Sequence, residues 1–147
     1  MLITKEIKWH MGHRLKNHKS ACRGNHGHTY FCEVGLEADH VVQTIGSSDE
    51  GMVMDFGDIK TILIEEVYKA LDHGTMLQRG DTLIPAMEED EATKLVIVDF
   101  PPTAENIAKW VWGRIGHIID DVYKTGLKLK FVKIFETPTS SATYLGD

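Results

Sequence analysis

Side chains alternate over the first ten positions, with Leu2, Thr4, Glu6, Lys8 and His10 on one side and Ile3, Lys5, Ile7 and Trp9 on the other. A period of two predicts a strand over 2–10, because successive residues of an extended chain point to opposite faces. Residues 12–25 are polar and read as a loop. Alternation returns from His26 to Ala38, where His26, His28, Tyr30, Cys32 and Val34 share one face and Thr29, Phe31 and Glu33 take the other. Gly27 leaves the backbone open between the two histidines. After a turn at Gly46-Ser-Ser-Asp-Glu-Gly51 the period lengthens. Phe56, Ile59, Ile62, Leu63, Val67, Ala70 and Leu71 recur at helical spacing, and Asp55 or Asp58 is placed to cap that helix. Residues 78–94 form an acidic, turn-rich excursion, followed by a short apolar strand at 95–100. Pro101-Pro102-Thr103 opens a second helix, with Thr103 at the N-cap and Ile107, Trp110, Val111, Arg114, Ile115 and Ile118 on its inner face. Lys128 to Phe135 is a strand, and Thr143-Tyr-Leu a short final one.

The main order, ββααββ, predicts an α+β fold in which two helices cover one face of a four-stranded antiparallel sheet. A chain of 147 residues has room for one domain, 1–147, and no linker or repeat divides it. Both sheet edges would be open, an exposure that assembly commonly covers. A net charge of −6, pI near 5.7 and scattered Lys and Arg argue against a nucleic-acid partner. No run approaches the ~18–20 apolar residues of a membrane helix. The start, Met1-Leu-Ile-Thr-Lys-Glu, lacks the apolar core of a secretory signal. With only two cysteines, Cys22 and Cys32, the expectation is a cytoplasmic protein with reduced thiols.

The candidate chemistry centres on histidine. His26 and His28 extend from one face of a strand, and His13 lies on the preceding loop or strand end. Catalytic zinc typically takes three protein ligands and keeps a fourth position for water or substrate, and this set fits that demand. His-x-His also arises by chance in a chain with eight histidines. His18, His40 and His117 read as solvated. Cys22 precedes His26 by four residues and allows two roles. It is either a fourth ligand that closes a structural site, or a free thiol beside an open metal, activated by zinc and Arg23 to act as base or nucleophile. Cys32, mid-strand among aromatics, reads as a buried inert thiol. Asp72-His73 at the end of the first helix serves either as a helix stop before Gly74 or as a carboxylate orienting an imidazole for proton relay. Glu136, at the end of the 128–135 strand, is either solvated or a carboxylate that accepts two N–H bonds from a planar ligand.

Six motifs occur in one order along nearly the whole chain: Trp9-His-Met-Gly-His13, Cys22-x-x-x-His26-Gly-His28, Met54-Asp55-Phe56, Leu71-Asp72-His73, Pro102-Thr103-Ala-Glu105-Asn106 and Phe135-Glu136-Thr137. In these the chain resembles the 6-pyruvoyltetrahydropterin synthase/6-carboxytetrahydropterin synthase superfamily, and the three-residue gap after Cys22 resembles the carboxy-forming branch. The resemblance implies the tunnelling fold, in which trimers close their sheets into a barrel and stack as hexamers with active sites between subunits. It implies zinc on His13, His26 and His28, and a pterin triphosphate substrate. 7,8-Dihydroneopterin triphosphate would yield 6-carboxytetrahydropterin, acetaldehyde and triphosphate, on the route to queuosine and other 7-deazapurines. In that scheme zinc binds the substrate's side-chain hydroxyls and acidifies the adjacent C–H, and Cys22 takes the proton. His73, oriented by Asp72, relays protons, and Glu136 anchors the pterin. Lys16, Lys19 and Arg23 are nearby candidates for the triphosphate. The pyruvoyl-forming reaction and a non-catalytic module with a closed zinc site remain the alternatives. The chain departs from the family in Trp9, in Met11-Gly12, in Thr75-Met-Leu77-Gln78 after His73, and in the 78–94 excursion.

Overall fold

The structure is a computed structural model and describes residues 1–122 and 126–147, the side chains of 121 and 122 apart. The long N-terminal alternation folds as β1 (Leu2–His13), three residues longer than the pattern alone predicts. It lies antiparallel to β2 (His26–Glu37) along its whole length, from Leu2 opposite Glu37 to His13 opposite His26. One of the two faces read from each pattern is the buried one: Ile7 and Trp9, continued by Met11, on β1, and Tyr30, Cys32 and Val34 on β2. Trp9 and Tyr30 stack at 5.7 Å between ring centroids. The register shifts between Gly35 and Leu36, where the Phe131 ring lies across Gly35 in space that a Cβ would need.

The first helix forms as predicted over 55–71, though not as one regular α-helix. Asp55 caps α1 (Phe56–Leu63), its carboxylate accepting from Gly57 N–H at 2.6 Å. A π-helical turn at Ile64–Tyr68 leads into α2 (Lys69–Leu71). Ile59, Leu63, Val67 and Leu71 are buried against the sheet at the helical spacing read from the sequence. The second predicted helix is α4 (Ala104–Val122), entered through Thr103, whose carbonyl accepts from Ile107 N–H at 2.9 Å. It buries Ile107, Val111, Ile115 and Ile119. β5 (Lys128–Thr137) pairs antiparallel with β2 and forms a hairpin with β6 (Ser140–Tyr144).

The α+β class holds, but the sheet is larger than the four antiparallel strands expected. It has six strands in the order β4-β3-β1-β2-β5-β6, and two are parallel additions. β3 (Gly74–Gln78) runs parallel to β1 over Met11–His13, and β4 (Lys94–Val98) runs parallel to β3. The excursion after β3 also contains a short helix, α3 (Ile84–Glu88). The short apolar strand expected at 95–100 is β4, but β3, five residues with apolar side chains on both faces, carries little alternation, so periodicity does not reveal it. β1 pairs with β3 only at its C-terminal end, and its Leu2–His10 stretch faces no strand on that side.

Candidate metal centre and its surroundings

The phase of β1 determines where its last inward side chain falls. Ile7, Trp9 and Met11 point into the core, and the next inward position is His13, 1% exposed and directly opposite His26 on β2. Two residues along β2, His28 faces the same way, so three imidazoles converge at the end of the β1–β2 ladder. Their ring centroids are 4.6, 5.1 and 5.0 Å apart, and one nitrogen from each lies within 4.8 Å of the others. Among the described residues, no other group of three or more His, Cys, Asp or Glu converges in this way.

The hydrogen bonds set the tautomers. Nδ1 of His13 donates to the Pro102 carbonyl at 2.7 Å, and Nδ1 of His26 to the Gly24 carbonyl at 2.8 Å. A carbonyl can only accept, so Nδ1 of each ring carries a proton and the two Nε2 atoms face each other, 3.1 Å apart. Two imidazole nitrogens on one tetrahedral zinc lie about 3.3 Å apart, given Zn–N bonds of ~2.0–2.1 Å. Nε2 of His28 is buried with no hydrogen-bond partner. Burial holds the His13 pKa below its ordinary value, opposed by the Pro102 bond and the Glu136 charge, and so favours the neutral ring a metal ligand requires. Backbone carbonyls orienting ligand imidazoles through the far nitrogen are the usual outer support of such centres. The residues present therefore fit a divalent metal with an affinity for imidazole.

Glu136, near the end of β5, reaches the edge of this cluster. Its carboxylate oxygens lie 3.9 Å from His13 Nε2 and 3.8 Å from His28 Nε2, and its side chain is a quarter exposed. Cys22 lies on a short 3-10 turn, Ala21–Arg23, in the loop between β1 and β2. It is half-buried and stands outside the three-histidine cluster. Cys22 and Glu136 line one cavity of about 330 Å³, together with Thr103 and Glu105 at the start of α4. Cys32 is fully buried, and burial pushes its thiol pKa up, in keeping with an inert role.

Asp72 and His73 are elsewhere. His73 sits on the exposed side of the β1–β3 junction, beside His10 and Thr29, in a second cavity of about 450 Å³. No residue lines both cavities. Within one chain, Cys22 and His73 are therefore not brought together. The Asp72–His73 pair is nonetheless well built. Asp72 Oδ2 bonds His73 Nδ1 at 2.6 Å, and Oδ1 accepts from His10 N–H at 3.0 Å. Partial burial would raise the Asp72 carboxyl, but hydrogen bonds from His10 N–H, His73 and the Tyr68 hydroxyl outweigh it and hold its pKa at about 2. His73 itself has φ of 57°, a left-handed conformation that non-glycine residues rarely adopt. Lys94 closes the helix end by donating to the carbonyls of Lys69 (2.9 Å) and Asp72 (2.8 Å).

Sequence reasoning left four supports unseen. The Pro102 and Gly24 carbonyls are invisible to any side-chain pattern. His10, whose ring bonds Thr29 Oγ1 at 3.0 Å and meets the His73 ring edge-on at 6.2 Å, becomes a neighbour only once the β1–β2 register and the β3 crossover are known. The Arg14–Asp81 ion pair spans 67 positions of sequence.

A family model described as 6-pyruvoyl tetrahydropterin synthase matches residues 2–147. The chain belongs to the 6-pyruvoyl tetrahydropterin synthase family. Two curated relatives carry the name 6-carboxy-5,6,7,8-tetrahydropterin synthase. The one from Haemophilus influenzae is 29% identical over 145 residues, covering 97% of this chain and 96% of the relative. The one from Rickettsia bellii is 33% identical over 141 residues, covering 92% and 93%. Among solved structures, an uncharacterized protein from Wolinella succinogenes aligns with a TM-score of 0.79 at 25% identity, over 100% of this chain and 98% of that one. The 6-pyruvoyl tetrahydropterin synthase of Caenorhabditis elegans shares the fold, with a TM-score of 0.65 at 22% identity over 100% and 96%. The family resemblance read from the six motifs and the α+β fold it implies for the single chain both hold, with the strand count corrected to six. No helix among the described residues is long and apolar enough to cross a membrane.

Proposed function

We propose that the chain is a zinc-dependent 6-carboxytetrahydropterin synthase, a carbon–carbon lyase that converts 7,8-dihydroneopterin triphosphate to 6-carboxytetrahydropterin, acetaldehyde and triphosphate. The observation that carries this reading is the convergence of His13, His26 and His28 with two Nδ1 atoms tied to carbonyls and their Nε2 atoms free. Three converging imidazoles suit catalytic zinc, which takes three protein ligands, and Cys22 standing outside the cluster weighs against a closed structural site. The names of the curated relatives favour the carboxy-forming reaction.

Zinc held there would supply Lewis acidity toward the hydroxyls of the substrate side chain. The remaining work falls to the protein. Glu136 offers two oxygens to the amino-pyrimidinone edge of the pterin, a pair of charge-assisted bonds that fixes the ring's orientation. Cys22, in the same cavity, takes the carbon-bound proton as a thiolate. His73, its Nδ1 held by the Asp72 carboxylate, has Nε2 left to pass a proton. Because Cys22 and His73 open into separate cavities, His73 serves the metal centre of a neighbouring copy, in an assembly that also covers the open Leu2–His10 edge of β1. That assembly is a homohexamer of two stacked trimers working in the cytoplasm, and its product feeds queuosine and related 7-deazapurine synthesis.

The deciding experiment is mass spectrometry of the products formed by zinc-loaded protein from 7,8-dihydroneopterin triphosphate, with Cys22→Ala alongside. Acetaldehyde and 6-carboxytetrahydropterin from the wild type alone are expected. A 6-pyruvoyl product would assign the chain to the sister reaction, and no product with zinc retained would sink the reading for this substrate.

A further inference from the structure

Only two polar or charged side chains are buried among the described residues, His13 and Asp81. Arg14 links them. Its Nε donates to Asp81 Oδ2 at 2.7 Å, its Nη2 reaches Asp81 Oδ1 at 2.7 Å, and Nη2 also donates to Thr82 Oγ1 at 3.1 Å. The Leu83 N–H completes the set on Asp81 Oδ1 at 2.9 Å. Asp81 belongs to the turn that follows β3, the strand paired with β1 only at Met11–His13. The carboxylate thus grips the residue immediately after His13, from the turn that follows the strand beside it.

A buried ion pair of this kind contributes little net stability, because desolvating both charges costs about as much as their attraction returns. A bidentate guanidinium–carboxylate fork instead dictates position, since both bonds form only at one distance and one angle. His13 is held at a second point by Pro102, which follows β4. Both holds come from the stretch 74–102, which includes the acidic excursion where the chain departs from its family.

We propose that Arg14 and Asp81 are positioning residues for His13: their buried fork fixes the end of β1 so that its imidazole meets His26 and His28 at ligating distance. The 78–94 excursion is therefore part of the metal centre's support. This rests on the metal reading above and deepens it.

The test is zinc affinity, measured by competition with a chromogenic chelator, beside the melting temperature of the metal-free protein. Wild type, Asp81→Asn and the double variant Arg14→Met/Asp81→Leu are compared. Asp81→Asn is expected to bind zinc about tenfold or more weakly, the usual effect of losing an outer support. The double variant, with the pair replaced by apolar side chains, is expected to melt at or above the wild-type temperature yet bind zinc as weakly as Asp81→Asn. Lost affinity in a protein of full stability separates positioning from a merely structural role. A double variant that binds zinc as tightly as wild type overturns the proposal, as does an Asp81→Asn protein that loses stability alone. Wild-type protein that binds no zinc would overturn the metal reading itself, and the positioning role with it.

Discussion

At the scale of single residues, the centre depends on where protons sit. His13 and His26 each give Nδ1–H to a carbonyl and keep Nε2 for a ligand. Replacing His26 by Ala should reduce bound zinc from one equivalent per chain to a small fraction, read by elemental analysis after dialysis. Cys22→Ser should leave the zinc in place and reduce turnover by roughly a hundredfold or more, the scale of a lost general base. Zinc lost from Cys22→Ser would instead mean a four-ligand, closed site. Asp72 makes a third prediction, in pH. Its carboxyl is held at about 2 against an ordinary 3.8, so the ionised form stabilises the folded state above roughly pH 4, and that contribution is lost as pH falls from about 4 to about 2. With part of the side chain in solvent, the amount is about 1–2 kcal/mol. Denaturant unfolding of wild type and Asp72→Asn should differ by that much at neutral pH and converge toward pH 2. A difference independent of pH would show that the carboxylate's charge is not what the fold uses.

At the scale of elements, legibility followed length and locality. β1, β2 and the two long helices were readable because each repeats its pattern over eight residues or more, and Asp55 and Thr103 signal the helix starts. The candidate site was readable to the same extent, since the two-residue period already put His26 and His28 on one face. β4 was read as a short apolar strand at 95–100 but not placed in the sheet, and β3 was hidden because a five-residue strand with apolar side chains on both faces has no period to show. With it went the position of His73, which depends on the crossover from α2 into β3, and the Arg14–Asp81 pair. The crossover stores strain. His73 occupies a left-handed conformation that costs a non-glycine residue about 1 kcal/mol. His73→Gly and His73→Ala lose the same imidazole, so both should lose turnover, but the glycine variant should be the more stable by about 1 kcal/mol. Equal stabilities would mean that the turn relaxes once the ring is gone. Lys94→Met at the same turn removes the donor from the Lys69 and Asp72 carbonyls and should cost about 0.5–1 kcal/mol in denaturant unfolding.

At the scale of the whole molecule, the issue is how two half-sites in separate cavities become one. The chain offers Cys22 and Glu136 in one cavity, with Glu136 3.8–3.9 Å from the three-histidine cluster, and a carboxylate-oriented imidazole in another. If a neighbouring copy supplies His73 to the metal centre, Cys22→Ala and His73→Ala should each be inactive alone and active when mixed. In an assembly that exchanges subunits at random, a site needs intact Cys22 from one copy and intact His73 from the next. An equal mixture should then regain about a quarter of wild-type turnover, one half times one half. The double variant Cys22→Ala/His73→Ala mixed equally with wild type makes the complementary case. It should reduce activity from the half expected by dilution to about the same quarter, because half of the intact copies acquire a damaged neighbour. Mixtures that stay inactive after exchange, shown by light-scattering mass or by tagged-subunit pull-down, would mean that each chain completes its own site. A His73→Ala protein that is fully active alone would instead make the Asp72–His73 pair a helix stop and nothing more.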